Sequence, residues 1–230
     1  MAETVLISGA GRGLGLCLTE IYLERGSEVH VIVRTLTDKI KSLQNKYENY
    51  YVHIGDVSEE ALLSRAAGEI LEQVDRLDYL YHTAGIFWEN DRKGLLEQNI
   101  DEMAKMMNVN ACGALRVLKS LDSLINSGTR IIVVSSESGS LTNCQDKGQY
   151  SYNMSKAALN MGIRIYHNEQ GNQGNIILVD PGWMRTDMGG QNAHLDPRFS
   201  AEQIILLAEG MDKRDKEILF YKYDGRALPW

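Results

Sequence analysis

A tyrosine and a lysine stand four positions apart in the stretch YSYNMSKAALN, residues 150–160. Residues four apart share one face of a helix, so the ammonium group of Lys156 can lie near the hydroxyl of Tyr152. A phenol with its ordinary pKa of about 10 is a slow acid or base at neutral pH, and a nearby cation favours its ionised form. The pair therefore has the chemistry of a general acid or base, whereas Tyr150 would lie on another face of the helix.

Three serines follow a strand-like run shortly before this pair. The segment RIIVVSSESGS, residues 130–140, reads as a buried strand followed by Ser135, Ser136 and Ser138. In an open parallel sheet, ligands bind beyond the carboxyl ends of the strands. We therefore expect the serines and the tyrosine–lysine pair at the same edge of a sheet.

A glycine-rich turn follows the first strand-like run. In ISGAGRGLG, residues 7–15, the spacing is G-x-x-x-G-x-G with one extra glycine inside it. A turn of this kind between a strand and a helix presents backbone N–H groups and a helix N-terminus to a phosphate. Alone the segment could be only a turn. At the start of a chain in which strands and helices alternate, it predicts a dinucleotide site.

The end of the second strand-like run bears on the choice between NAD and NADP. An acidic residue there would bond the ribose 2′-hydroxyl of NAD and repel the 2′-phosphate of NADP. This chain instead has Arg34 directly after Val33, and Arg12 lies in the glycine turn. Two guanidinium groups can hold a phosphate by charge-assisted hydrogen bonds, so NADP(H) is favoured over NAD(H). The alternative is that Arg34 is a solvated loop residue.

Short apolar runs alternate with helical patterns along the whole chain. Strands this short and this rich in Val and Ile are typical of sheets that are covered on both faces. We therefore predict an α/β fold, a single doubly wound Rossmann-type domain over 1–230 with a mostly parallel seven-stranded sheet. The predicted strands are 4–8, 28–33, 50–54, 77–82, 130–135, 175–180 and 217–222, and the predicted loops are 85–98 and 187–200.

Composition argues against several classes of partner and site. The formal net charge of -7 does not suit a surface for nucleic acid or anionic lipid. No run approaches the roughly 18 apolar residues of a membrane span, and the first residues lack the layout of a secretory signal, so we expect a cytoplasmic protein. The histidines show no metal-ligand spacing. Buried free thiols are predicted at Cys17, Cys112 and Cys144.

Seven short motifs occur in a fixed order along the chain: SGAGRGLG, GDV, TAG, VN, SSESG, YNMSK and DPGWMRTDMGG. In this order they resemble the short-chain dehydrogenase/reductase family, and the resemblance covers essentially the whole chain. Each motif is weak alone, whereas their order is specific. The last motif and the ending YDGRALPW are similar to C-factor-like and carbonyl-reductase-like members.

The resemblance implies a role for each matching residue. Tyr152 would be the general acid in carbonyl reduction, and Ser136 would hydrogen-bond the substrate oxygen, with Ser138 as the minor alternative. Lys156 would bind the nicotinamide ribose and lower the Tyr152 pKa, and Asn110 would hold a water in a proton relay to Lys156. With the glycine turn and the arginines, the predicted cofactor-binding residues are Gly9, Gly11, Arg12, Gly13, Leu14, Gly15, Arg34, Asp56, Val57, Ala84, Gly85, Tyr152, Lys156, Pro181, Gly182, Met184 and Thr186.

The chain departs from the family pattern at two places near this site. The family commonly has N-N-A-G where this chain has HTAG at 82–85, so the sequence does not predict bracing by asparagine, and His82 is interpreted as strand packing. The gap from serine to tyrosine is longer than usual, which predicts a larger loop at 140–149. Residues 187–200 are the candidate substrate lid. The candidate apolar pocket walls, which could also be core plugs, are Phe87, Trp88, Trp183 and Met184.

The sequence thus predicts an NADPH-dependent oxidoreductase that reduces a small-molecule aldehyde, ketone or quinone without a metal. As in the family, a homodimer or homotetramer is expected. The alternative is an NAD(P)-binding signalling or redox-sensor protein of the C-factor-like type with little turnover. A pure sensor need not keep Asn110, Ser136, Tyr152 and Lys156 together, so their joint presence favours the enzyme.

Overall fold

A seven-stranded parallel sheet forms the centre of the computed structural model, which describes residues 2–170, 175–217 and 219–230. The strands are β1 Thr4–Ser8, β2 Glu28–Val33, β3 Tyr50–Ile54, β4 Tyr79–His82, β5 Arg130–Val134, β6 Asn175–Asp180 and β7 Phe220–Lys222. Their order is β3-β2-β1-β4-β5-β6-β7, and each neighbouring pair is parallel, which confirms the predicted fold class. The predicted strand 217–222 starts later than expected, and Ile218 within it lies outside the described residues.

Helices cover both faces of the sheet. They are α1 Gly13–Glu24, α2 Asp38–Lys46, α3 Glu60–Leu71, α4 Ile100–Met107, α5 Gly113–Ser120, α6 Tyr150–Glu169 and α7 Pro197–Glu209. Val5 and Ile7 of β1 pack in the layer that holds α1, α2 and α7, whereas Leu6 packs in the layer that holds α3, α5 and α6. Burial on both faces explains why the strands are almost entirely apolar. None of the helices within the described ranges is long and apolar enough to cross a membrane.

The chain reverses its direction of travel across the sheet at β1. It runs outward from β1 through β2 to β3, returns to place β4 on the other side of β1, and continues to β7. A crevice for ligands opens at such a switch point, beyond the carboxyl ends of the strands. The glycine turn after Ser8 and the TAG segment after His82 border this crevice from opposite sides.

Both predicted loops contain some regular structure. In the candidate lid, 187–200, α7 already begins at Pro197, and Asp196 caps its first turn through its side chain. Asp at the cap followed by Pro at the first helical position is a strong helix start, so the last four residues of the predicted loop are helical. The 3₁₀ turns in the other loop, 85–98, are Glu89–Arg92 and Leu95–Glu97.

The three cysteines are free thiols, but the prediction that they are buried was wrong for two of them. Cys17 is partly buried, whereas Cys112 and Cys144 are exposed. Cys144 lies in the 140–149 loop and Cys112 precedes α5, away from both apolar layers. Small apolar character alone therefore did not decide their burial.

Two tyrosines share a hydrogen bond in the core, and this pair allows a test of the packing. The hydroxyls of Tyr22 and Tyr81 are 2.7 Å apart, and both side chains are fully buried. We expect Tyr81→Phe to lower the free energy of unfolding by about 1–3 kcal/mol, because the Tyr22 hydroxyl loses this partner in a dry environment. The double variant Tyr22→Phe/Tyr81→Phe should recover most of the loss. Urea unfolding measures these free energies. A double variant whose loss of stability equals the sum of the losses in the two single variants would contradict the prediction.

Candidate active site

A cleft of about 440 Å³ runs along the carboxyl edge of the sheet and joins the predicted phosphate turn to the tyrosine–lysine pair. All of the predicted cofactor-binding residues line it except Gly182. That glycine, with a φ of 75°, turns the chain after β6, and a Cβ there would overlap the side chains of Leu195 and Tyr223. Its residue type is therefore explained by packing behind the cleft.

Glycine is required at two positions of the phosphate turn because backbones meet there. Gly9 has a φ of 86°, and a Cβ on it would lie 2.5 Å from the backbone nitrogen of Ala84. A Cβ on Gly15 would lie 2.5 Å from both the Gly9 carbonyl oxygen and the Thr83 hydroxyl oxygen. Only glycine permits such close approach. The turn after β1 is thus packed directly onto the segment after β4.

The other side of the turn is open toward the cleft. A Cβ on Gly11 would meet no atom within 4 Å. Helix α1 begins at Gly13, its N-cap residue Arg12 makes no side-chain capping bond, and its first turn has no acidic residue. The first N–H groups of α1 therefore have no local side-chain acceptor, an arrangement that suits an anion such as the phosphates of a dinucleotide.

Both arginines that were predicted to hold a 2′-phosphate line the cleft. Arg34 is exposed and follows β2 directly. The guanidinium group of Arg12 lies 3.0 Å from the carboxylate of Asp187, which belongs to the candidate lid, and both side chains are largely exposed. An exposed ion pair of this kind contributes only about 0–1 kcal/mol. Arg12 is therefore free to exchange Asp187 for a phosphate.

Asp56 and Val57 form the cleft wall beyond β3. One oxygen of Asp56 accepts hydrogen bonds from the backbone N–H of Ser58 at 2.8 Å and from its hydroxyl at 2.7 Å. Val57 is buried, and a Cβ on Gly113 would lie 2.9 Å from its side chain. These contacts fix the turn that precedes α3.

His82 and Thr83 brace β4 against β1. The Thr83 hydroxyl donates to the Ser8 carbonyl at 2.9 Å, and His82 Nδ1 lies 2.8 Å from the Ser8 hydroxyl oxygen. Burial, and then the charge of Lys156, lowers the pKa of His82 to about 3, so its imidazole is neutral at neutral pH. This chain therefore braces its strands without asparagine, and His82 packs within the sheet as the sequence indicated.

Helix α6 brings Tyr152 and Lys156 to the far end of the cleft. Lys156 is buried, donates to the Val134 carbonyl at 2.9 Å, and places its ammonium nitrogen 5.8 Å from the centre of the Tyr152 ring. Burial lowers the pKa of Lys156 to about 8 and raises the pKa of Tyr152 to about 12. We expected Lys156 to lower the pKa of Tyr152. In the structure that pKa is raised instead, because burial has the largest influence on it.

Of the two candidate serines, Ser136 is the one that reaches Tyr152. It caps the 3₁₀ turn Glu137–Gly139, and its hydroxyl oxygen accepts the backbone N–H of Ser138 at 3.2 Å. Burial dominates the pKa of Tyr152, and a side-chain hydrogen bond with Ser136 acts in the opposite direction. Ser138 supports this arrangement through its backbone.

Sequence reasoning missed a buried carboxylate at the end of β6, that of Asp180. Burial raises its pKa, while hydrogen bonds from the backbone N–H groups of Glu137 and Gly182 act in the opposite direction. After burial, its negative charge is the next influence on the pKa of Lys156, which it raises, and it also raises that of Tyr152. The signal in the sequence was an acidic residue that closes the apolar run NIILV.

Asn110 lies in one turn of π-helix, Asn108–Cys112, between α4 and α5. Its Oδ1 accepts the backbone N–H of Ile86 at 2.8 Å, and its Nδ2 donates to the Ile86 carbonyl at 2.9 Å. A Cβ on Gly85 would lie 3.5 Å from Asn110 Oδ1 and 3.8 Å from Lys156 Nζ. Single π turns are frequent at functional sites. Here the turn places the amide of Asn110 where it holds the segment after β4 beside the lysine.

The four candidate pocket-wall residues have different surroundings in the structure. Phe87 packs edge-to-face on Tyr152 with ring centres 5.3 Å apart, and Met184 lines the cleft. Trp183 is 49% exposed, and its indole N–H donates to a carbonyl of the candidate lid at 2.8 Å. Trp88 borders a neighbouring cavity that is lined mostly by polar side chains. Of these four side chains, Phe87 is therefore the one that packs on Tyr152, and Met184 is the one that lines the cleft.

Comparison with known proteins gives one consistent result. A family model described as short chain dehydrogenase matches residues 3–195. A 1-hydroxy-2-glutathionyl-2-methyl-3-butene dehydrogenase of Rhodococcus sp. (strain AD45) is 28% identical over 236 residues, which cover 99% of this chain and 100% of the relative. The C-signal protein of Myxococcus xanthus is 33% identical over 159 residues, 67% of this chain and 93% of the relative. The solved structure of a carbonyl reductase from Pseudomonas aeruginosa PAO1 in complex with NADP is 28% identical with a TM-score of 0.82, over 100% of both chains.

The contact between the glycine turn and β4 predicts different tolerance at neighbouring glycines. Gly9→Ala should lower the free energy of unfolding by more than about 2 kcal/mol, because a left-handed backbone is costly for alanine and its Cβ overlaps Ala84. Gly11→Ala is the matched control, with open space around the added carbon, and should change stability by less than about 1 kcal/mol. Chemical denaturation of both variants measures the difference. Equal stability would contradict the packing described.

Proposed function

The chain belongs to the short-chain dehydrogenase family of oxidoreductases, and from this premise we propose that it is an NADP(H)-dependent reductase of a small-molecule carbonyl compound, an aldehyde, ketone or quinone. One observation carries the proposal. The phenol of Tyr152, whose pKa burial raises and the Ser136 side chain acts to lower, and whose ring centre lies 5.8 Å from the buried ammonium of Lys156, stands at one end of the cleft whose other end is the glycine turn. The single domain is proposed to span 1–230.

In the proposed reaction, Tyr152 donates its proton to the carbonyl oxygen, which Ser136 orients by a hydrogen bond. When bound, the reduced nicotinamide supplies a hydride to the carbonyl carbon. The carbonyl thus gains a hydride and a proton and becomes an alcohol, while Tyr152 is left as phenolate. Lys156 stabilises that phenolate by its charge, and Asn110 is proposed to hold the water through which a proton from solvent reaches Lys156 and restores the Tyr152 phenol.

The protonation of Tyr152 supports its proposed role as proton donor. Its pKa is raised to about 12 by burial, so the phenol carries its proton at neutral pH and is ready to donate it. An alkoxide that forms as hydride arrives is a stronger base than a phenolate, so transfer from this weak acid remains downhill.

NADP(H) is proposed over NAD(H) because two arginines line the cleft near the turn. Arg34 is exposed at the end of β2, and Arg12 forms an exposed pair with Asp187. Both guanidinium groups are thus available to a 2′-phosphate. The NADP complex of the related carbonyl reductase, at 28% identity over the whole chain, supports the same choice.

We also propose an oligomeric state and a cellular localisation for the protein. Large apolar side chains are exposed on neighbouring helices, Leu115 on α5 and Met161 and Ile165 on α6. Exposed apolar side chains on neighbouring helices favour association, here into a homodimer or homotetramer. Free, exposed thiols at Cys112 and Cys144 favour a reducing compartment, and the cytoplasm is proposed.

A second candidate function is an NAD(P)-binding signalling or redox-sensor protein with little turnover. The relative named C-signal, at 33% identity over 67% of this chain, is the observation that favours it. The two functions differ in turnover. A sensor binds the dinucleotide tightly and reduces none of the carbonyl compounds offered to it.

We expect Tyr152→Phe to lower kcat for carbonyl reduction by about 10²–10⁴-fold, because the proton donor is removed while the ring remains. The assay follows the absorbance of NADPH with a panel of aldehydes, ketones and quinones. Tyr150→Phe is the matched control, since this tyrosine begins α6 outside the cleft lining, and it should keep its activity. Equal rates for Tyr152→Phe and the unmodified protein would refute the mechanism. Tight NADPH binding without any turnover would favour the sensor.

Charge reversal at Arg34 tests the choice of cofactor. Arg34→Asp should raise the KM for NADPH by about tenfold or more and leave the KM for NADH nearly unchanged, because only NADPH carries the 2′-phosphate. Arg65→Asp on the exposed surface of α3 makes the same change in net charge and serves as the control. If NADH is already the better cofactor of the unmodified protein, the assignment is wrong.

A further inference from the structure

The first turn of α6 has no cap from its own sequence. Its N-cap residue, Gln149, has φ 59° and ψ 34°, a left-handed conformation that is uncommon outside glycine, and its side chain makes no capping bond. The first turn contains no acidic residue. The neighbouring sequence therefore leaves the N–H groups that begin this helix without an acceptor. The same turn carries Tyr152.

A carboxylate from a distant loop supplies the acceptors. Asp91 is 3% exposed, and its Oδ1 accepts the backbone N–H of Ser151 at 2.9 Å. Its Oδ2 accepts the backbone N–H of Tyr152 itself at 2.8 Å. One carboxylate thus binds two successive N–H groups at the positive end of a helix, where charge-assisted hydrogen bonds are short and strong.

The backbone around Asp91 also holds the entry to α6. Its carbonyl oxygen accepts the N–H of Gln149 at 2.6 Å. A Cβ on Gly148 would lie 2.7 Å from the carbonyl oxygen of Arg92, so the two segments touch backbone to backbone. These contacts hold Gln149 in its left-handed conformation and fix the direction in which the helix starts.

The same loop contacts the other catalytic groups. Ile86 exchanges two backbone hydrogen bonds with the side chain of Asn110, and the ring of Phe87 packs against the ring of Tyr152. Asp91 follows five residues after Ile86. Tyr152 is therefore held from this loop at two points, its ring and its backbone nitrogen.

We propose that Asp91 is a positioning residue for Tyr152, whose carboxylate sets the place of the phenol relative to Ser136 and Lys156 by fixing the start of α6. The proposal rests on the proposed function, in which Tyr152 is the proton donor. Helix α6 has 20 residues and packs on the core along its length, so one missing cap does not unfold it. A shift of about 1 Å in a reacting group can cost about 10²-fold in rate.

The test compares Asp91→Ala and Asp91→Asn with a cap on another helix. Asn99 caps α4 by accepting the backbone N–H of Asp101 at 3.2 Å and does not line the cleft, so Asn99→Ala removes a cap from a different helix. We expect Asp91→Ala to lower kcat by about tenfold or more, with the KM for NADPH changed by less than about threefold. Asp91→Asn keeps the shape and one acceptor oxygen and should lose less. Asn99→Ala should lower the melting temperature and leave kcat unchanged.

A double variant separates positioning from general stability. In the Tyr152→Phe background, Asp91→Ala should cause little further loss of rate, because the group that it positions is gone. An unchanged kcat in both Asp91 variants, or the same fold-loss with and without the Tyr152 hydroxyl, would overturn the proposal. Asp91→Asn, which preserves volume, carries the test if the alanine variant fails to fold.

Failure of the proposed function would be seen separately, as absence of turnover in the unmodified protein. In that case the hydrogen-exchange rates of the Ser151 and Tyr152 amides test the positioning role of Asp91. Faster exchange at these two amides in Asp91→Ala than in Asn99→Ala supports the positioning role. Equal exchange in the two variants overturns it.

Discussion

A buried ammonium group is the constraint around which the site is built. Lys156 is only 4% exposed, and a cation at that depth is costly unless it is hydrogen-bonded and near an opposite charge. The end of β5 supplies the acceptor, the Val134 carbonyl, and the end of β6 supplies the negative charge of Asp180. The same burial lowers the pKa of Lys156 and raises that of Tyr152. One packing arrangement thus determines the proton chemistry of both groups.

The parallel sheet explains why residues from distant parts of the chain meet at this lysine. All seven strands run in one direction, so the segments that follow β1, β4, β5 and β6 lie along one edge. Across the switch point, Gly9 touches Ala84 backbone to backbone, and Thr83 bonds the Ser8 carbonyl. These contacts join the glycine turn to the segment after β4, and one cleft extends from this turn to Tyr152.

Two buried carboxylates hold the segments that carry Ser136 and Tyr152. Asp180 accepts the N–H of Glu137, the residue after Ser136, and Asp91 accepts the N–H of Tyr152. Starts of turns and helices leave such N–H groups without partners, and a carboxylate from another element can satisfy them. Sequence patterns did not reveal the role of Asp91, because its partners are 60 and 61 residues away.

The sequence by itself determined the strands and the local motifs. The bounds of β1, β2, β3 and β6 agree with the apolar runs, because alternation of buried strands and amphipathic helices is a local pattern, and the four-residue spacing of Tyr152 and Lys156 needs only a helix. Only the tertiary structure decided that Ser136 reaches Tyr152, that His82 stays neutral, and that burial raises the Tyr152 pKa. Those properties depend on burial and on groups far apart in the chain, which no local pattern encodes.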